Sequence, residues 1–290
     1  MMLKINRKIL SLKTFHQHPI NMKKIAFKQF VPGINSLVFL SFLCSCSGSG
    51  SSDNENQELE GITNSMNEGN PTDGNLVTLT EEEKSEGWEL LFDGEDLQKW
   101  RSVKSETFPS DAWVIEDGSL VLAERGGDIV TREKYGDFEL AWDFKLTKGA
   151  NSGIKYFVDS ITNKSNGNVV VNGPEYQIID DLNYDEIKEE PNGLSSTGAL
   201  YLLYAPENKD LNPAGEWNHA RIIAKGNQVE HWLNGTQLLS YERGSKDFLN
   251  KMAETKFKDY PDYGQVPEGH ILLTDHQDKV YFRNIRVRRL

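Results

Sequence analysis

The stretch Gly-Pro-Glu-Tyr-Gln-Ile-Ile-Asp-Asp, residues 173–181, sets a carboxylate, an amide and a second carboxylate (Glu175, Gln177, Asp180) among residues that read as a strand. Side chains on a strand repeat every two residues, so Glu175 and Gln177 share a face while Tyr176 and Ile178 share the other. Asp180 joins Glu175 and Gln177 only where a bulge or the strand's end turns it. Near the carboxyl end, Asp275-His276 follows a short apolar run, and an imidazole suits proton transfer near neutral pH. Arg283 and Lys155 are cations on strand-like segments, able to hold a carboxylate or a developing oxyanion. Asn151, at the head of Asn-Ser-Gly, offers an amide to a polar ligand, and Asn-Ser-Gly itself reads as a tight turn into the next strand. A proton acceptor, a proton donor and a cation are the parts of general acid–base chemistry. A solvated strand face with an ion pair would use the same letters, so spacing alone leaves both readings open.

The elements that must carry these residues are short strands. From Gly87 onward, apolar runs alternate with turn signals about every 8–12 residues, the pattern of an all-β sandwich. Residues 112–122 read as a hairpin about Asp117-Gly118. In 137–147, Phe138, Leu140, Trp142, Phe144 and Leu146 alternate with Glu139, Asp143 and Lys145. Residues 198–205 read as another strand, and 219–242 as a three-strand meander in which Trp232 is core and His231 surface. A helix is predicted near 247–258. The architecture expected is two stacked antiparallel sheets of jelly-roll kind, with one sheet face open to solvent and lining a cleft that Glu175 and Gln177 look into.

The amino end differs. Basic residues Lys23, Lys24 and Lys28 precede an apolar run, 34–43, too short to span a bilayer. Leu43 stands three residues before Cys46, a pattern that resembles a bacterial lipobox, with Met22 as the natural start. The expectation is a signal segment over 1–45, lipidation at Cys46, an acidic flexible tether over 46–86, and a folded domain over 87–290 in the bacterial cell envelope. Both cysteines, Cys44 and Cys46, lie there, so no disulfide is available to the domain. Seven of the 32 basic side chains fall within the first 45 residues, so the remainder meets all 44 acidic ones. A surface this acidic disfavours nucleic acid and leaves the lipid as the route to a membrane. The histidines form no metal-ligand spacing, and no cofactor motif is present. The acidic run 178–186 admits a carboxylate-bound Ca2+, although an acidic loop is usually only solvated.

Several motifs together, GWELLFDGEDLQKW (87–100), NSGIKYF (151–157), GPEYQIIDD (173–181), TGALYLLYAP (197–206), GEWNHARIIAKGNQVEHWLNG (215–235) and GHILLTDHQDKVYFRNIRVRRL (269–290), resemble the 3-keto-disaccharide hydrolase domain family, formerly DUF1080. The resemblance implies a concanavalin A-like lectin/glucanase sandwich and cleavage of a 3-keto-glycoside, with a separate dehydrogenase supplying the oxidised sugar. It implies Glu175 as base or anchor, His276 and Arg283 as catalytic partners, and Gln177, Asp180, Asn151, Lys155 and Asp275 as substrate-binding residues. The chain departs from the family at Thr274, where Gln is frequent, and at Phe157, near which many members carry Arg. A 3-keto sugar has an acidic C2 proton, so its removal can expel the C1 substituent, and water can then add. An ordinary glucanase of this fold uses Glu-x-Asp-x-x-Glu, but here Gln177 takes the central place, which argues against that class. A non-catalytic sugar-binding module remains the alternative, since this fold also hosts lectins.

Overall fold

Alternation gives β6 (Phe138–Leu146) two unlike faces, and the five large apolar side chains of its inner face are all buried, as their spacing predicts. The computed structural model describes residues 76–290, and the expected signal segment, Cys46 and the first part of the expected tether lie outside them. The strands in chain order are β1 (Trp88–Phe92), β2 (Trp100–Ser102), β3 (Trp113–Glu116), β4 (Ser119–Leu122), β5 (Ile129–Thr131), β6, β7 (Asn151–Thr162), β8 (Val169–Asn172), β9 (Glu175–Ile179), β10 (Trp217–Lys225), β11 (Gln228–Leu233), β12 (Thr236–Glu242), β13 (His270–Leu273) and β14 (Val280–Arg289). Two helices, α1 (Glu81–Ser85) and α2 (Lys246–Ala253), complete the elements.

All pairings are antiparallel and fall into two sheets. The first runs β12-β11-β10-β6-β14-β4-β3, with β1 sharing an edge of β14, and the second runs β2-β5-β13-β7-β8, with β9 sharing an edge of β7. This is the expected all-β, two-sheet jelly-roll sandwich. The sheets meet through aromatic side chains. Trp142 of the first sheet stands edge-on to Tyr176 of the second at 5.0 Å, and both are buried. The 117–118 hairpin is present, with Asp117 at φ 49° and Gly118 at φ 69°, the left-handed pair such a turn needs.

Four expectations change. Residues 76–86 are not all tether. Thr80 and Glu83 form a capping box on α1, Val77 N–H donates to the Asp93 carbonyl, and Glu83 pairs with Arg286 at 2.6 Å. Residues 151–153 are the first residues of β7 rather than a turn. Residues 198–205 form turns, although part of the segment hydrogen-bonds along β9. Finally, His231 is fully buried and Trp232 lies outside, stacked under Arg221 at 4.6 Å. The alternation of Val229 and Leu233 carries His231 inward, where Tyr156 Oη and the Gly198 carbonyl satisfy its two nitrogens. Helix α2 is found, but it ends at Ala253, where the Thr255 hydroxyl donates to the Met252 carbonyl and accepts from Phe257 N–H, turning the chain.

Candidate active site

The register of the second sheet places Arg101, Val130, Leu272, Lys155 and Glu175 in one row across β2, β5, β13, β7 and β9. Paired residues share a face, and Ile154 and Tyr176 on the flanking positions fill the core, so this row lies on the sheet's outward side. One step along, Gly153 stands opposite Gln177, and Thr274 N–H donates to the Gly153 carbonyl. Val130, Val158 and Leu272 form an apolar floor beside these polar groups. An apolar floor beside a few placed polar groups is a usual form for a small-molecule site.

Glu175 is the chemical centre of this face. Its side chain is 8% exposed, its Oε2 lies 3.9 Å from Lys155 Nζ, and its Oε1 is buried with no hydrogen-bond partner. Burial raises its pKa above the ordinary carboxylate value, while Lys155, His276 and Lys256 pull it back and Asp128 pushes it further up. The carboxyl fits because residue 153 is glycine. A Cβ there would stand 2.3 Å from Glu175 Oε1 and 3.1 Å from Cδ. The glycine of Asn-Ser-Gly is therefore a steric requirement of the carboxylate on the next strand. Gln177 donates to Asn151 Oδ1 at 3.3 Å, and Lys155 Nζ also donates to Asn172 Oδ1 at 3.1 Å.

The remaining expected site residues divide. His276 is exposed in the loop after β13, and its charge acts on Glu175. Asp275 has both carboxylate oxygens engaged by backbone N–H groups. One of its oxygens accepts from Gly126 and Gly127 N–H at 2.9 and 2.6 Å, the other from Gln277 N–H, so it anchors the loop that carries His276. Asp180 is likewise occupied at the end of β9, accepting from Gly149 N–H at 2.8 Å and from the Asn183 side-chain amide. Its neighbour Asp181 binds Lys209 and Thr197 N–H. The acidic run considered for Ca2+ thus has its two buried carboxylates engaged. Among the described residues no group of three His, Cys, Asp or Glu could hold a metal ion.

Arg283 is the clear correction. It lies on β14 of the first sheet, opposite Asp143, while Phe282 next to it fills the core. Its Nε donates to Asp143 Oδ2 at 3.2 Å, and its guanidinium covers Trp217 at 3.9 Å. It therefore occupies the outward face of the opposite sheet, joined through Asp143 to His219 at 2.9 Å. The core separates it from Glu175. Sequence reading also passed over Lys256, Tyr201 and Asp128, all of which act on or against Glu175. They sit on connections rather than strands, where periodicity gives no direction. Asp128 Oδ1 accepts from Asp275 N–H.

Comparison with known proteins follows this geometry. A model for the "3-keto-alpha-glucoside-1,2-lyase-like domain" matches residues 87–288. A protein described as a 3-keto-disaccharide hydrolase from Bacteroides thetaiotaomicron is 31% identical over 70% of this chain and 79% of its own. A solved structure of a candidate glycosyl hydrolase from Parabacteroides distasonis is 37% identical, covers 76% of this chain and all of that chain, and superposes with a TM-score of 0.64. A second such structure from the same organism is 26% identical over 70% of this chain and 99% of that chain, with a TM-score of 0.52.

Proposed function

Because the chain belongs to the 3-keto-alpha-glucoside-1,2-lyase-like domain family, we propose that it cleaves glycosides whose sugar is oxidised at C3, with Glu175 as the base that removes the C2 proton. The observation that carries this reading is a buried carboxylate of raised pKa, with one oxygen unpartnered, on an outward sheet face beside a lysine. A carboxylate whose proton affinity is raised by burial is a stronger base, as abstraction of a weakly acidic C–H requires.

The sequence of steps balances on these residues. Glu175 takes the C2 proton, and the C–H electron pair becomes the C2=C3 bond of an enolate, leaving the negative charge on O3. Collapse of the enolate restores the ketone, forms a C1=C2 double bond and expels the C1 substituent, whose oxygen is protonated. Water adds across the double bond, giving net hydrolysis. His276, exposed and within electrostatic reach of Glu175, suits proton return to the leaving oxygen. Gln177 and Asn151 would hold sugar hydroxyls. The mechanism needs no second carboxylate facing the first, and Gln177 occupies the position a conventional glucanase gives to one.

The reading as a sugar-binding module without catalysis is less well supported. Such a module uses open aromatic platforms and has no use for a buried carboxylate of raised pKa. Export fits the same reading. Lipidation at Cys46 would hold the domain in the cell envelope, with a separate dehydrogenase oxidising the sugar. Incubating the protein with methyl 3-keto-α-glucoside and with unoxidised methyl α-glucoside tests the proposal. Methanol release from the first alone is expected, and equal release from both, or from neither, would overturn it.

A further inference from the structure

With Arg283 on the far side of the sandwich, the enolate oxygen has lost its expected cation. Lys155 is an incomplete substitute, because its ammonium already serves Asn172 Oδ1 and the Glu175 carboxylate. One further ammonium lies within electrostatic reach of Glu175. Lys256 makes neither a salt bridge nor a hydrogen bond among the described residues. It rests on aromatic rings instead, 4.7 Å from the centre of Tyr201 and 5.4 Å from that of Phe257.

The chain fixes this lysine firmly beside Glu175. Tyr201 N–H donates to the Glu175 carbonyl at 3.0 Å, so the ring under Lys256 belongs to the segment laid along β9. On its other side, Lys256 is followed by Phe257, which stacks on buried Tyr263 at 4.1 Å with the rings 12° apart. Gly264, next to Tyr263, approaches Pro174 so closely that a Cβ would stand 3.0 Å from the proline Cγ. Pro174 directly precedes Glu175. The Thr255 hydroxyl ends α2 one residue before Lys256 and turns the chain toward this contact. Electrostatics agrees with the geometry. Burial pushes the Lys256 ammonium down from the usual lysine range, Glu175 pulls it up, and Lys155 pushes it down again.

We propose that Lys256 is a catalytic residue of this site, meeting O3 of the oxidised sugar and stabilising the negative charge that forms there when Glu175 removes the C2 proton. This rests on the 3-keto reading above. An ammonium held on ring faces and free of carboxylate partners has its donors available, and it need not break an ion pair when the oxyanion appears. The proton moves from C2 to Glu175, the charge moves to O3, and Lys256 donates a hydrogen bond without losing its proton.

The test separates enolate formation from cleavage. The 3-keto derivative of 1,5-anhydroglucitol has no leaving group at C1, so in D2O the enzyme can only exchange its C2 proton, which NMR follows. Lys256→Met is expected to slow both this exchange and methanol release from methyl 3-keto-α-glucoside by on the order of 10²-fold or more, with the larger effect on kcat than on KM. Lys256→Arg, which keeps the charge, should recover part of both. A Lys256→Met enzyme that still exchanges C2 at the native rate but cleaves slowly would overturn the proposal, because the lysine would then act on the leaving group. Native rates of both would overturn it as well. A native protein that neither exchanges nor cleaves would instead remove the 3-keto reading on which it rests. Thermal melting of both variants identifies any loss that comes from unfolding.

Discussion

Replacing Glu175 by Gln separates what this residue does for chemistry from what it does to stability. The change keeps volume and removes the charge. If Glu175 is the base as proposed, it contributes on the order of 10²–10⁴-fold, so kcat on methyl 3-keto-α-glucoside should fall by that factor. Stability should move the other way. Burial outweighs the attraction of Lys155, His276 and Lys256 and leaves the folded-state pKa above the unfolded one. A folded state that binds the proton more tightly loses stability as pH rises from about 4.5 through the raised value. The charged, unpartnered Oε1 sets the scale, since a buried acceptor without a partner costs about 1–3 kcal/mol. For a domain of this size each kcal/mol moves Tm by about 2–4 °C. Glu175→Gln should therefore melt several degrees above the native protein at pH 8 and close to it at pH 4, where the native carboxyl is already protonated. Melts followed by circular dichroism at the two pH values, beside NMR turnover assays, measure both effects. Native turnover in the variant, or a lower Tm at pH 8, would refute the reasoning.

Three other substitutions probe the neighbouring structure. Gly153→Ala should cost less than about 2 kcal/mol in urea unfolding, because the crowded atom is a side-chain end that can rotate, yet turnover should fall at least tenfold as the carboxyl leaves its seat. Arg283→Ala should lower Tm, since it strips Asp143 of a partner and uncovers Trp217, but should leave kcat within about twofold of native. His231 is buried and its pKa is depressed to about 4, so the unfolded chain binds its proton first, and stability is lost as pH falls from about 6.5 to 4. That loss approaches about 3 kcal/mol, and His231→Gln should flatten the urea-midpoint curve over that range.

The sandwich and the faces of its strands were legible because burial imposes a period of two. Glu175 and Gln177 stand together on the outward face for that reason, and the same rule places Arg283 beside Tyr281. Periodicity does not reveal which sheet a strand joins, and each sheet has an outward face. The register opposite Asp143, 140 residues away in sequence, decides it for Arg283. For His231 the signal was present, because Val229 and Leu233 fix its direction, but imidazole polarity argued against it until Tyr156 and Gly198 supplied partners. Lys256 had no local signal at all. Its position depends on where α2 stops and on how Gly264 seats against Pro174. Asp180 and Asp275 show the reverse case, in which short acidic side chains at element ends serve the backbone before any ligand.

The strand that holds Glu175 is paired with a true strand on one side only. On the other it is finished by residues 197–201, through Gly198, Ala199 and Tyr201 of the backbone and the Thr197 hydroxyl. The seam is also part of the core, because Ala199, Leu200 and Leu203 are buried in the sandwich and the Gly198 carbonyl meets buried His231. Because Tyr201, the ring under Lys256, rides on this seam, a change in this one connection would reach the core and the O3 side of the proposed site together.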